Sequence, residues 1–367
     1  KMKYGFLKNK AAELAAGLDN DMAKIGAIFY HVQSKMVWNE IQTKYPSVNL
    51  KKSYEEGKGS AADINFILTV MLNHAGIEVY PLVLSTRNHG YVNPYNPSMR
   101  SFNYVVAGVN LGEGKLQLLD ATDKTLPANL LPPRCINGQG LLITKEGGAK
   151  IDILPSGKYR YASQCKLKLN EDGQWEGTMN VNRKDYANRF LRSRLYSKSE
   201  EDFIQDMEND YEGIEISEPS FENVKDINED VKEAYQVTIS DQTIEAGDML
   251  YFNPMLMFGE TENPFKLAER KYPVDFNYPM EWVYSTQFEI PDDYAIEEVP
   301  EKAIIALPNK GGRFVYTINV TSNIINVTSQ IQIKKHLFLP EEYSGLKQFY
   351  DLIIEKHGAQ IVLKKKT

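Results

Sequence analysis

The stretch that constrains this chain most runs from Gly57 to Gly76, Gly57-Lys58-Gly59-Ser60-Ala61-Ala62-Asp63-Ile64-Asn65 and the apolar run beyond it. Apolar residues at 64, 67, 68, 71, 72 and 75 keep the i, i+3, i+4, i+7 spacing of a buried helix face. Ser60 with Asp63 three residues on forms an acidic variant of the capping box, and Gly76 is a helix stop. The spacing therefore predicts a glycine-rich loop feeding a core helix that starts near Ser60 and Ala61. Such a start is where free backbone N–H groups and the helix dipole lower a thiol's pKa and stabilise an oxyanion. No thiol is present here, and a core helix with a tight entry explains the stretch on composition alone.

Three strand patterns follow. Ile77 to Ser85 and Phe102 to Val109 read as strands, and Lys115 to Thr122 as a third with Asp120 at its end. The loop Thr86 to Arg100 between the first two is longer than a tight turn needs and carries His89, Tyr91, Pro94, Tyr95 and Pro97. Upstream, Ala11 to Trp38 is helical in pattern, with Met22, Ile25, Phe29, Val32 and Met36 on one face and a break at Gly17 to Asn20. Asn39 to Gly57 reads as loop or irregular hairpin.

This order, and the residues within it, resemble the transglutaminase-like superfamily, papain-like cysteine enzymes. Gly59-Ser60-Ala61-Ala62-Asp63 is similar to that superfamily's Gly-x-Cys-x-Asp, Phe102-Asn103-Tyr104-Val105 to its Phe-Asn-His-Val, and Leu118-Leu119-Asp120-Ala121-Thr122 to its Leu-Asp-Ala-Thr. Leu131-Pro132-Pro133-Arg134-Cys135 and Gly138-Gln139-Gly140 also resemble the envelope-associated bacterial branch. The departures are as specific as the matches. Ala61 stands at the nucleophile position and Tyr104 at the base position, leaving Asp120 as the remaining triad member. Alanine cannot attack a carbonyl, and a phenol of pKa near 10 is a poor base at neutral pH. Nucleophile and base act as a unit, so thiol acyl transfer is not expected.

The resemblance thus implies a catalytically inactive binding or interaction module for a peptide, glycan or envelope protein, with Trp38, Ser60, His89, Asn103 and Tyr104 as cleft candidates. Two alternatives stand beside it. One is a hydrolase or acyl-transfer enzyme using Ser60, His89 and Asp120. It is weakened because Ser60, one residue before Ala61, points about 100° away round a helix. The other is a purely structural scaffold.

The 367 residues, with 42% hydrophobic and 25% charged, have the composition of a soluble multidomain chain. A net charge of −7 argues against nucleic acid as a partner. No run reaches transmembrane length and no signal peptide is visible; the resemblance implies an upstream β-rich domain, an export signal, and a periplasmic or cell-envelope location. Cys135 and Cys165 cannot make a metal site by themselves and no cofactor is expected; a disulfide between them or two separate buried thiols are both open.

The expected fold class is α+β: a papain-like transglutaminase core over 1–148, an α+β or mainly-β middle region over 149–262, and a C-terminal antiparallel β-sandwich with a terminal helix over 263–367. In the middle region Tyr161 to Leu169 and Trp175 to Asn182 flank Asn170-Glu171-Asp172-Gly173, a hairpin signal. Asp185 to Leu195 and Glu200 to Tyr211 read as helices, Glu212 to Phe221 as a strand, and Glu222 to Lys232 as a solvated acidic loop. The last region resembles the β domain of unknown function that follows transglutaminase-like domains in envelope proteins.

Overall fold

The structure, a computed structural model, describes residues 4–93, 95, 98–211 and 213–366. Pro94 and Pro97 of the long loop, and Glu212 at the expected start of a strand, lie outside the described residues. The chain divides into two compact units, 1–156 and 157–367.

In the first unit the helix Ala61–His74 is the core element: eleven of its fourteen residues are buried, the pattern of a helix covered on every side. One side meets the helix Asp21–Lys35 through Ile25, Phe29 and Val32, and the other meets a five-stranded antiparallel sheet. That sheet runs Leu116–Leu119, Tyr104–Asn110, Val79–Leu84, Gln139–Ile143, Gly148–Asp152 in spatial order. Ile64, Ile67, Leu68 and Met71 are each 0% exposed, and burying each such side chain contributes about 1.5–3 kcal/mol. Asn20 caps Asp21–Lys35 by accepting the Ala23 N–H at 2.8 Å, at the break the sequence pattern predicts. The segment 39–57 holds the short helix Leu50–Glu56, which the polar composition had concealed.

In the second unit the regions expected as 149–262 and 263–367 are woven into one sheet. Tyr159–Leu169 pairs with Trp175–Asp185 as the predicted hairpin, and then with Met280–Glu289 on its other side. The eight-stranded sheet so formed is antiparallel except at that second pairing, which is parallel; the strands of 263–367 within it pair antiparallel with one another, and the parallel pair joins them to the middle region. A hairpin can supply only antiparallel neighbours; the parallel pair arises because about a hundred residues of helix and strand separate its members. A four-stranded sheet built from Thr243–Ala246, Met249–Phe252, Ile361–Lys365 and Tyr294–Glu298 shares the core. Trp175, 0% exposed, packs at a tilt between Phe252 of the small sheet and Phe288 of the large one, each ring centroid 4.8 Å away. The helix Tyr343–His357 completes this core with Leu346, Phe349 and Ile353.

The acidic segment expected as solvated loop is organised from within. Arg192, 0% exposed on the helix Tyr186–Ser197, donates to the backbone carbonyls of Asn223, Val224, Asp226, Ile227 and Glu229.

Candidate functional site

The helix start is built as the spacing predicts. Ser60 is the N-cap: its Oγ accepts the Asp63 N–H at 3.2 Å, and the Asp63 carboxyl accepts the Ser60 N–H at 3.0 Å and the Ser60 hydroxyl at 2.9 Å. Gly59 is required here, because a Cβ at 59 would lie 2.7 Å from Asp63 Cβ. The Ala61 N–H donates to the Ile41 carbonyl at 3.1 Å. The N–H groups of Ser60, Ala61 and Asp63 are therefore all committed within the protein, where an oxyanion site needs free donors.

Ala61 is 0% exposed, and Asn65, one turn further on the same face, reaches across to the sheet. Asn65 Nδ2 donates to Asp120 Oδ1 and to the Val105 carbonyl, each at 3.0 Å, and its Oδ1 accepts the Ala121 N–H at 3.0 Å. Asp120 leaves the end of the strand Leu116–Leu119 and is 1% exposed. Its Oδ1 also accepts from the Thr122 N–H at 3.0 Å and the Thr122 hydroxyl at 2.7 Å. Its Oδ2 accepts the Tyr104 hydroxyl at 2.9 Å and the Cys135 thiol at 3.4 Å. Tyr104 opens the neighbouring strand and is 0% exposed.

Arg134 closes this cluster from the turn Pro133–Cys135. Its Nη2 donates to Tyr104 Oη at 3.1 Å and to Thr122 Oγ1, and lies 3.7 Å from Asp120 Oδ2. The guanidinium stacks on Trp38 with Cζ 4.3 Å from the ring centroid, and Trp38 Nε1 donates to the Ile41 carbonyl at 3.2 Å. Arg134 Nε is buried without a hydrogen-bond partner among the described residues. Burial and the adjacent Asp120 raise Tyr104 well above its ordinary value, so its hydroxyl stays a proton donor. Burial, then Asp120, also push the Cys135 thiol up, which leaves it protonated and poorly nucleophilic. Burial works against the Arg134 charge, but Asp120 and Tyr104 outweigh it and raise its pKa.

Of the residues singled out from sequence, the structure brings Tyr104 and Asp120 into direct contact and puts Trp38 against Arg134, which bonds them. Ser60 is 6% exposed and tied to Asp63. Asn103 ties neighbouring loops together through Gln42 and Thr86. His89 is exposed on the turn Arg87–His89, and no hydrogen bond joins it to Ser60 or Asp120 among the described residues. Ser60, His89 and Asp120 thus do not form a hydrogen-bonded set. Sequence reasoning gave Asn65, Thr122 and Arg134 no part in the centre beyond the stretches that carry the resemblance, and weighed Cys135 only as a disulfide partner or a buried thiol. Asn65 was legible as i+4 from Ala61, whereas nothing local marks Arg134 as the cation that covers Asp120. Cys135 and Cys165 are both free thiols, each buried in its own unit. Among the described residues no group of three or more His, Cys, Asp or Glu is placed to hold a metal, and no helix is long and apolar enough to cross a membrane.

Residues 248–363 match the family described as Domain of Unknown Function with solved structure, DUF3858. That match lies within the β-rich second unit. Among solved structures the chain is similar to a putative protease from Parabacteroides distasonis, with 15% identity and a TM-score of 0.56. The likeness covers 98% of this chain and 55% of that one. The chain therefore spans about half of that protein's length, and the likeness is one of fold. Comparison with the curated proteins finds no match.

Proposed function

We propose that residues 1–156 are a transglutaminase-like domain that carries no acyl-transfer chemistry and serves as a folded interaction platform for the β-rich unit in a cell-envelope protein. The observation that carries this reading is the occupancy of the would-be catalytic centre. The phenol of Tyr104 fills the base position and bonds Asp120, and the Arg134 guanidinium closes over both. A triad needs a nucleophile, a base and free oxyanion donors. Ala61 supplies no nucleophile, Tyr104 no base, and the N–H groups of Ser60, Ala61 and Asp63 are already paired. Fold likeness to a putative protease fits descent from an enzyme scaffold.

A groove lined by Trp38, Ser60, His89, Asn103 and Tyr104 finds less support, since Tyr104 and Ser60 are buried and His89 lies apart from them on an exposed turn. The scaffold alternative follows from the same filled centre. The test is turnover: the intact protein is incubated with glutamine-containing peptides and a primary amine, and ammonia release and amine incorporation are measured. The expected result is no turnover above buffer. Turnover abolished by Asp120→Asn would overturn the reading.

A further inference from the structure

The second unit holds a cleft that the platform reading does not use. The inner face of the eight-stranded sheet is apolar core at one end, but at the other it becomes aromatic and stays partly open. Because side chains alternate along a strand, Tyr159 and Tyr161 share a face, as do Trp282 and Tyr284 on the adjacent parallel strand. The register, Tyr161 opposite Trp282, sets diagonal pairs: Tyr159 against Trp282 at 5.7 Å and Tyr161 against Tyr284 at 5.9 Å. The helices Tyr186–Ser197 and Glu200–Asp210 form the facing wall of a cavity of about 250 Å³.

Three properties of this cleft define its occupant. First, it is walled by aromatic rings that remain partly exposed, a surface that stacks on flat apolar faces. Second, the hydroxyls of Tyr161, Tyr211 and Tyr284 make no hydrogen bond within the protein among the described residues, although burial raises the pKa of each and keeps it a donor. These hydroxyls open into the cleft, so they are free to bond whatever fills it. Asp210, exposed at the mouth, likewise has no ion pair or hydrogen bond among the described residues. Third, of the charged side chains lining the cleft, Arg183, Arg194 and Asp206 are matched within the protein, which leaves Asp210 as an acceptor. Arg183 binds Glu233 through two bonds of 2.6 and 3.1 Å, and Tyr235 donates to the same carboxylate at 2.7 Å. Arg194 and Lys198 pair with Asp206. Arg183 already lies over the Tyr161 ring at 5.0 Å, and Arg194 over Phe190 at 5.1 Å. A cationic ligand would meet these guanidinium groups, and an anionic one would find them already paired.

What remains is an uncharged ligand with apolar faces and hydroxyl edges. We infer that the cleft between the Tyr159–Trp282 aromatic wall and the helix Glu200–Asp210 binds a neutral saccharide ring, stacked on the aromatic faces with its hydroxyls bonded to Tyr161, Tyr211, Tyr284 and Asp210. The cleft lies wholly within residues 157–367, so its failure would leave the reading of Tyr104 and Asp120 untouched.

The test is isothermal titration of the full chain, with tryptophan fluorescence in parallel. The probes are glucose, galactose, mannose and N-acetylglucosamine, together with cellotetraose, mannotetraose and chitotetraose. At least one probe binds saturably. Trp282→Ala weakens that binding by about tenfold or more, and Tyr161→Phe and Tyr284→Phe, which keep the rings and fold, each by about threefold or more. Tyr272→Phe, on a side chain 81% exposed outside the cleft, leaves it unchanged. No saturable binding of any probe overturns the inference, as does binding that both Tyr→Phe variants leave intact. Binding of uncharged aromatic dipeptides or of trimethyl-lysine in place of the sugars overturns it too.

Discussion

Arg134→Met tests how the buried centre of the first unit is held together. The Asp120 side chain is 0% exposed and that of Arg134 19%, with 3.7 Å between Nη2 and Oδ2. At an effective dielectric of about 20 the gross attraction at that distance is roughly 4–5 kcal/mol. Removing one partner of a buried pair typically costs about 3–5 kcal/mol, because the remaining charge is left uncompensated. Asp120 keeps its bonds from Asn65, Thr122 and Tyr104, which places the cost at the lower end. The lost stacking on Trp38 adds about 0.5–1 kcal/mol. The expected destabilisation is about 3–4 kcal/mol. The assay is hydrogen exchange of peptides covering Tyr104–Asn110, which reports on the first unit alone. The double variant Asp120→Asn/Arg134→Met carries no unpaired charge, so it is expected to be about 2 kcal/mol more stable than the sum of the single losses predicts. A loss under about 1 kcal/mol for Arg134→Met, or additive single and double variants, would refute the argument.

His357 is 1% exposed, accepts the Glu260 N–H at Nδ1 and meets Ser329 at Nε2, and burial lowers its pKa from 6.5 to about 4. Its folded value is depressed, so the unfolded chain takes up the proton first. Stability is full above pH 6.5 and falls by about 3 kcal/mol by pH 4; urea midpoints across that range show the slope, and His357→Gln removes its share. An unchanged slope in the variant would contradict this assignment. Arg192→Met strips five backbone carbonyls of their charged donor and is expected to cost about 3 kcal/mol, with faster exchange concentrated in 223–230; protection equal to wild type there would mean the loop holds itself. Ser60→Ala removes the cap hydroxyl and is expected to cost about 1 kcal/mol with no change in any hydrolytic background, whereas hydrolysis lost with Ser60 would revive the serine reading.

What was legible in the chain was local. The capping box at Ser60 and Asp63, the break before Asp21, the hairpin around Asn170-Glu171-Asp172-Gly173 and the terminal helix each announce themselves through neighbours in sequence. What stayed hidden was non-local. Composition alone cannot show that Met280–Glu289 enters the same sheet as Tyr159–Leu169, because the pairing is a register between strands far apart in the chain. The same holds for Arg192, whose partners lie more than thirty residues away, and for Arg134 over Asp120. The candidate site was half legible: the motif positions singled out Ala61, Tyr104 and Asp120, and the stretch Leu131 to Cys135 stood out too, but nothing in it showed that Arg134 would neutralise Asp120. Alternation along Tyr159–Tyr161 and Trp282–Tyr284 was present in the sequence, yet only the parallel register makes those rings one wall.

The most direct measurement is the reactivity of a thiol placed at Ala61, the position that the proposed reading aligns with a nucleophile. Ala61→Cys puts a sulfur at a position 0% exposed, and the native thiols at 135 and 165 are themselves buried. Iodoacetamide labelling of the folded variant is followed by mass spectrometry, with folding checked by circular dichroism. A filled centre predicts that residue 61 labels as slowly as Cys135 and reacts only on unfolding. Labelling at the rate of an exposed thiol would mean an open cleft beside Tyr104 and Asp120, and the account of a filled, catalytically silent centre would be wrong.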